Sequence, residues 1–276
     1  MCDKSDLYQQ KYLKYKQKYN QLLHIGGADH KNIQKRIINK FFPKAISNRA
    51  LIEKIKMLDL NKDKTHFTLS ICCDEINHEK DDLPDLFREL LGEVFQMGGL
   101  GGIPFAGTTG LNATLHHVPD NGTLFILYGP HIGLSLDGKL GDYNRVGVAE
   151  TGHACGAAIG AYNQLEKLNY DATKLTNDNK FDPQFNYIVQ ELLAKNTKSV
   201  IKHKDPNETN KNISIAMFAI IQEWIEKFKE EFKKQTHIKK LVLIGGIVIN
   251  VSKKLDTINN LEDHFYIIKD EIVEIK

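Results

Sequence analysis

Between residues 31 and 60 the apolar positions Ile33, Ile37, Ile38, Phe41 and Phe42 recur at helical spacing, and Leu51, Ile55 and Leu58 resume it after Pro43. This pattern predicts two helices parted at the proline, which has no N–H to continue the first. The period then changes. THFTLSICCDEIN carries a β-branched and apolar run that reads as a strand ending at Asp74-Glu75, and TLFILYG (123–129) reads as a buried strand after the turn Pro119–Gly122. CGAAIGAYNQLEKL (155–168) opens with small residues and continues at helical spacing, which predicts a helix packed closely on a sheet. FNYIVQELLAK and ISIAMFAIIQEWIEKFKEEF are further helices, with a polar surface loop at 170–182 before them. KKLVLIGGIVINV reads as a central strand broken at Gly245-Gly246, and HFYIIKDEIVEI supplies one or two last strands.

Strands alternating with helices predict an α/β fold with a sheet covered on both faces. The stretch MGGLGGIPFAGTTG (97–110) holds too much glycine for the interior of a regular element and reads as a loop where backbone approaches something closely. Residues 1 to about 24, rich in Tyr, Lys and Gln, predict a short amphipathic helix that Gly26-Gly27 closes. The domain division that follows is a leader over 1–27 and a catalytic domain over 28–276.

Composition narrows the class. With 276 residues and 41% hydrophobic content, the chain can build one large core without disulfides. A net charge of +2 lacks the basic balance of a dedicated nucleic-acid binder. No window reaches the roughly 18 apolar residues of a membrane span, and the polar N-terminus lacks the apolar core of a signal peptide. The expectation is a cytoplasmic protein whose cysteines, Cys2, Cys72, Cys73 and Cys155, are free, metal-bound or reactive.

Three places where strands end or helices begin carry candidate chemistry. Along an extended chain Cys72 and Asp74 share one face and Cys73 takes the other. His131 follows a buried strand, at the mouth of the sheet. Cys155 stands at a helix start, where the N-terminal dipole favours thiolate. Each also has a plain structural reading: a small buried hydrophobe, a histidine fixing a loop, a small residue chosen for packing. Taken together, two cysteines and a histidine form the donor set of a catalytic zinc site, in which three protein ligands leave a fourth position for water or substrate. His116, His117 and His153 compete with His131 for the nitrogen position.

The stretches CCDEIN, MGGLGGIPFAGTTG, HHVPDNGTLFILYGPHIG and ACGAAIGAY together resemble the low-CO2-inducible protein B/C family, a divergent branch of the β-carbonic anhydrases. The resemblance spans about residues 66–165, and IGGIVIN (244–250) is similar to a later family segment. It implies a mixed, largely parallel β-sheet flanked by helices, a homodimer, and zinc-dependent reversible hydration of CO2 to bicarbonate, a lyase activity. β-Carbonic anhydrases carry Cys-x-Asp-x-Arg after the first strand and Gly-His-x-x-Cys-Gly later. Carried over, Cys72, His131 and Cys155 become the Zn2+ ligands, with an insertion between the last two, and Asp74 becomes the aspartate of the Asp–Arg dyad. The dyad's arginine is missing, since Ile76 stands in its place. Arg88 is the nearest replacement and Arg145 the second. Gly101, Gly102 and Phe105 would shape an apolar pocket for CO2.

Three other readings stay open on the residues. One is a zinc-bearing but inactive subunit that binds bicarbonate or a partner. Another is a cysteine hydrolase with Cys155 as nucleophile and His131 or His153 as base. The third, a nucleotide-binding module built on the glycine loop, lacks the Gly-Lys-Ser/Thr that a phosphate loop needs. The leader is similar in style to those on many proteins of giant DNA viruses.

Overall fold

The computed structural model describes residues 30–79, 82–175, 181–195, 201–254 and 262–274. The leader and Cys2 lie outside the described residues. So does part of the predicted loop at 170–182, of which Ala172–Lys174 forms a short 3-10 turn.

Pro43 separates the first two helices as its chemistry requires. Helix α1 covers 30–41 and buries Ile38 and Phe41, while α2 (Asn48–Lys56) starts where the Ser47 hydroxyl caps Ala50 N at 3.2 Å. Between them β1 (Ile46–Ser47) is a two-residue edge strand. The sheet then builds from β2 (Thr65–Ser70), β3 (Val94–Gln96), β4 (Gly122–Tyr128), β5 (His131–Leu134), β8 (Ile238–Val251) and β9 (His264–Glu274). Its order is β1-β9-β8-β4-β2-β3, and β5 also pairs with β8. The β3, β2, β4, β5 and β8 pairings are parallel, while β9 is antiparallel to β8 and to β1. This is the mixed, largely parallel sheet that the family resemblance implies. A separate hairpin, β6 (Asp142–Asn144) with β7 (Thr151–His153), stands apart from it.

Successive residues of a buried strand face opposite sides, so β4 supplies two cores. Leu124, Ile126 and Tyr128 pack with α5 (Gly156–Lys167), α6 (Pro183–Ala194) and α7 (Pro206–Phe232), where the Tyr128 ring stacks on Phe218 at 5.7 Å. Phe125 and Leu127 pack with α2 and α3 (Leu83–Leu91). A third cluster joins α1 to β5 and the second half of β8.

Two features differ from the sequence reading. The glycine stretch is not loop throughout: a 3-10 turn spans Leu100–Gly102, and α4 (Gly107–His116) begins inside it. Nor is β8 broken at Gly245-Gly246. It runs unbroken over 14 residues with a register shift against β9 at that point. The glycines serve close neighbours. The Tyr128 ring lies where a Gly245 Cβ would be, and the Tyr266 carbonyl where a Gly246 Cβ would be.

The long β8 strand takes two partners in turn. Its first half pairs with β4, ending at Tyr128↔Gly245, and its second half pairs with β5, starting at His131↔Val248. At the handover Gly129 has φ 152°, and its N–H bonds Ser70 O at 3.0 Å. A Cβ on Gly129 would collide with the Gly246 carbonyl, and a Cβ on Gly102 would collide with the Gly129 carbonyl. Replacing Gly129 by Ala should therefore cost about 3 kcal/mol or more, beyond ordinary overpacking. Gly107→Ala is the control: φ there is 62° but nothing lies within 4 Å, so only the backbone penalty of about 1 kcal/mol applies. Urea unfolding midpoints of the two variants check the contrast.

Candidate metal centre

Cys72 stands two residues past the end of β2, where the chain turns toward the short 3-10 turn Glu75–Asn77. The strand is shorter than its sequence suggests, yet the alternation of faces carries into the turn: Cys72 is buried, Cys73 exposed, and Asp74 faces inward again. Backbone bonds hold this segment. Cys73 N donates to Gly99 O at 3.3 Å, and the Asn77 amide donates to Cys72 O at 3.3 Å. His131 opens β5 directly after the handover at Gly129. Cys155 is the N-cap of α5. The strand bearing His131 and the loop leading to Cys155 are tied by Gly133 N→Ala154 O at 2.8 Å, Ala154 N→Gly141 O at 2.9 Å and Gly141 N→Gly133 O at 2.8 Å.

These placements bring one donor atom each of Cys72, His131 and Cys155 within 4.8 Å of one another, the one such group among the described residues. The two sulfurs lie 3.8 Å apart. All three side chains are sealed from solvent, with residue exposures of 2%, 1% and 3%. His131 Nδ1 meets Asn250 Oδ1 at 2.8 Å, while Nε2 is buried and makes no hydrogen bond. A buried ring nitrogen left bare beside two buried sulfurs is costly unless something else takes its lone pair. An S, N, S donor set suits zinc. The residues fit such an ion.

The electrostatics divide: the Cys155 thiol shifts toward the ligating form, while His131 and Asp74 shift toward their protonated forms. Burial pulls the His131 imidazole down, but Cys72, Asp74 and Asn250 outweigh it and leave the net shift upward. The Cys155 thiol is lowered chiefly by Cys72, against the effect of burial, with help from the N–H groups of Ala158 and Ala157 at the helix start. Asp74 Oδ2 lies 3.7 Å from His131 Nε2. Burial and then Glu75 raise the Asp74 carboxyl, with His131 opposing.

The competing histidines are elsewhere. His117 stacks edge-on to His66 at 5.5 Å, and His153 is a largely exposed side chain bonded to Asp142 Oδ1 at 3.0 Å. The arginine near Asp74 is also not the first choice. Arg88 lies on α3 with its guanidinium on Asp85 at 2.8 Å, one turn earlier on the same helix. Arg145, at the end of β6, reaches Asp74 Oδ1 at 3.5 Å and Glu75 Oε1 at 2.6 Å. Glu75 is held down to about 2 by the Asp74 carboxyl and then by Arg145. The insertion that separates the histidine from the second cysteine is thus the β6–β7 hairpin, and it brings the guanidinium. Asn250 was missed on the sequence; a lone amide inside an apolar strand run was its signal.

The glycine loop closes one side of this group. Gly102 approaches Gly129 and the Cys72 amide, and Gly101 faces Met217. Phe105 stands half-buried, edge-on to Tyr187 at 5.6 Å. Close packing, and no open anion cradle, accounts for Gly101 and Gly102.

Residues 44–274 match the sequence profile described as "Limiting CO2-inducible proteins B/C beta carbonic anhydrases". The chain belongs to this family. The fold agrees with solved limiting CO2-inducible structures. The crystal structure of PtLCIB4, a homolog of the limiting CO2-inducible protein LCIB, superposes with a TM-score of 0.73 at 28% identity, covering 87% of this chain and 95% of that one. A point variant of PtLCIB4 gives 0.74 at 27%, with coverage of 88% and 95%. LCIB itself gives 0.61 at 17%, with coverage of 86% and 96%, a likeness of fold alone. No curated protein matches the chain in sequence. No helix among the described residues is long and apolar enough to cross a membrane.

Metal binding is directly measurable. Metal-free protein titrated with Co2+ should develop a thiolate charge-transfer band. Cys72→Ser, Cys155→Ser or His131→Ala should weaken binding by more than the roughly 10- to 100-fold that loss of an outer partner costs. Cys73→Ser and His153→Ala should leave it unchanged.

Proposed function

We propose that this chain catalyses the reversible hydration of CO2 to bicarbonate, with zinc held by Cys72, His131 and Cys155. The observation that carries the reading is the bare, buried Nε2 of His131 grouped with two buried cysteine sulfurs, in a chain of the limiting CO2-inducible B/C family. Zinc, when bound by three protein ligands, supplies a Lewis acid that lets water ionise near neutral pH.

The chain's own residues do the remaining work. Asp74 offers Oδ2 3.7 Å from His131 Nε2, where it would accept a hydrogen bond from the reacting water and orient that oxygen's lone pair toward CO2. It can do so only as a carboxylate. Arg145, 3.5 Å from its other oxygen, opposes protonation. Of the residues that the resemblance gives to the CO2 pocket, Gly102 lies beside the Cys72 amide, and on this reading it lines the approach of a small uncharged substrate. The homodimer that the family implies would be the working assembly.

The bond from Arg145 to Glu75 is shorter than its contact to Asp74, and this favours one second reading, a metal-bearing subunit that binds bicarbonate without turnover. Stopped-flow CO2 hydration on protein of known zinc content separates the two. About one zinc per chain, with turnover abolished in Cys72→Ser and His131→Ala, supports the enzyme. Zinc without hydration from about pH 6 to 9, the range in which metal-bound water ionises, supports the binding subunit. No zinc removes both.

The pH profile tests the dyad. Removing a guanidinium stabilises the neutral carboxyl, so Asp74 ionises at higher pH. Arg145→Gln should move the acid limb of kcat/KM upward by roughly one pH unit. Arg88→Gln should leave the profile where it is.

A further inference from the structure

Behind His131 lies a buried polar network that the reaction itself does not use. Asn250 sits in β8 with 1% exposure, the amide within an otherwise apolar run. Its Nδ2 faces three oxygens: Asp263 Oδ2 at 3.0 Å, Asn77 Oδ1 at 3.2 Å and Ile76 O at 3.4 Å. The two ends of an amide are told apart by their partners. Ile76 O is a backbone carbonyl and can only accept. Asn77 spends its own Nδ2 on Cys72 O at 3.3 Å, which leaves its Oδ1 as the acceptor. Asp263 is pinned in turn by Val251 N on Oδ1 at 2.8 Å. Turning the Asn250 amide over would set its oxygen against these acceptors.

The nitrogen end of Asn250 is therefore committed, and its oxygen end points at His131 Nδ1, 2.8 Å away. An amide oxygen cannot donate, so a neutral ring must carry its proton on Nδ1. The other tautomer fails at Nδ1. It would set two lone pairs face to face at 2.8 Å, a repulsion that a contact between Nε2–H and the Cys72 sulfur would not remove.

We infer that Asn250, oriented by Asp263 and Asn77, is a positioning residue that holds the proton of neutral His131 on Nδ1 and so keeps the Nε2 lone pair aimed between Cys72 and Cys155. The inference rests on the metal-centre reading above for its purpose, though its geometry stands without a metal. The same amides tie the backbone of Cys72 to the His131 ring, so two candidate ligands from distant segments share one anchor.

The test uses the full chain, metal-free and reduced, with 15N-labelled histidine at alkaline pH. The His131 ring, assigned by its loss in His131→Gln, should show a protonated Nδ1 and a bare Nε2. Asn250→Leu should lose this preference, and its Zn2+ affinity by chelator competition should fall roughly 10- to 100-fold with the circular dichroism unchanged. A wild-type ring protonated on Nε2 and bare on Nδ1 overturns the inference. So does an Asn250→Leu chain that keeps both the tautomer and the affinity. Should that variant fail to fold, the wild-type spectrum still decides. Absence of Zn2+ binding by the wild-type chain would remove the metal reading alone, because the ring shifts report on Asn250 without it.

Discussion

Three backbone segments meet at distances that no side chain would permit, and the arrangement of the molecule around its centre follows from that. Gly102 lies against the Gly129 carbonyl, and Gly129 lies against the Gly246 carbonyl. The first belongs to the glycine-rich turn, the second to the handover between β4 and β5, the third to the middle of β8. The stack lets one strand leave β4's register and resume along β8 three residues later, which puts His131 at the head of β5. It also sets the glycine turn beside the Cys72 amide. Glycine here is chosen for the absence of a side chain, and the glycine-rich stretch is rich for that reason more than for flexibility.

Above this stack the protein gathers two buried thiols, a buried imidazole and a largely buried carboxyl, an assembly that burial opposes. Several devices offset that cost. The start of α5 favours charge on Cys155. Arg145 reaches in from the hairpin. The buried acids behind the histidine are managed differently: burial and then Asp263 push Asp82 up to about 8, toward its neutral form. Asp263 gives its oxygens to Val251 and Asn250. Most polar groups in this interior are paired. The bare Nε2 of His131 is one of several exceptions among the described residues, and it is the one grouped with two buried sulfurs.

Much of this is legible in the amino-acid sequence. The apolar runs place the strands and helices, and Pro43 places the first break between two helices. Period-two alternation paired Cys72 with Asp74 and set Cys73 aside, even though the strand stops short of them. What stayed hidden was what depends on distant segments meeting. The family resemblance singles out His131, but the residue pattern alone does not tell it from His117 and His153; the pairing of β5 with the far half of β8 sets it apart. Arg145 sits in a hairpin whose direction no local pattern encodes, whereas Arg88 was near in number and far in space. Gly245-Gly246 resembled a break because glycine usually weakens a strand; the Tyr128 ring and the Gly129 backbone that need those positions lie more than a hundred residues earlier.

The candidate ligands sit at positions 72, 131 and 155, and the amide behind the histidine at 250. Such a centre does not exist in any fragment of the chain. It comes into being only after the parallel pairing of β4 and β5 with β8, a contact of long sequence separation and so of slow formation. An ion that binds there recognises the finished sheet and has little purchase on the unfolded chain. Occupancy would therefore act as a clamp on the whole domain, strengthening it with the logarithm of free metal concentration. Removing such an ion would loosen β2, β5 and the start of α5 together, because the candidate ligands join them.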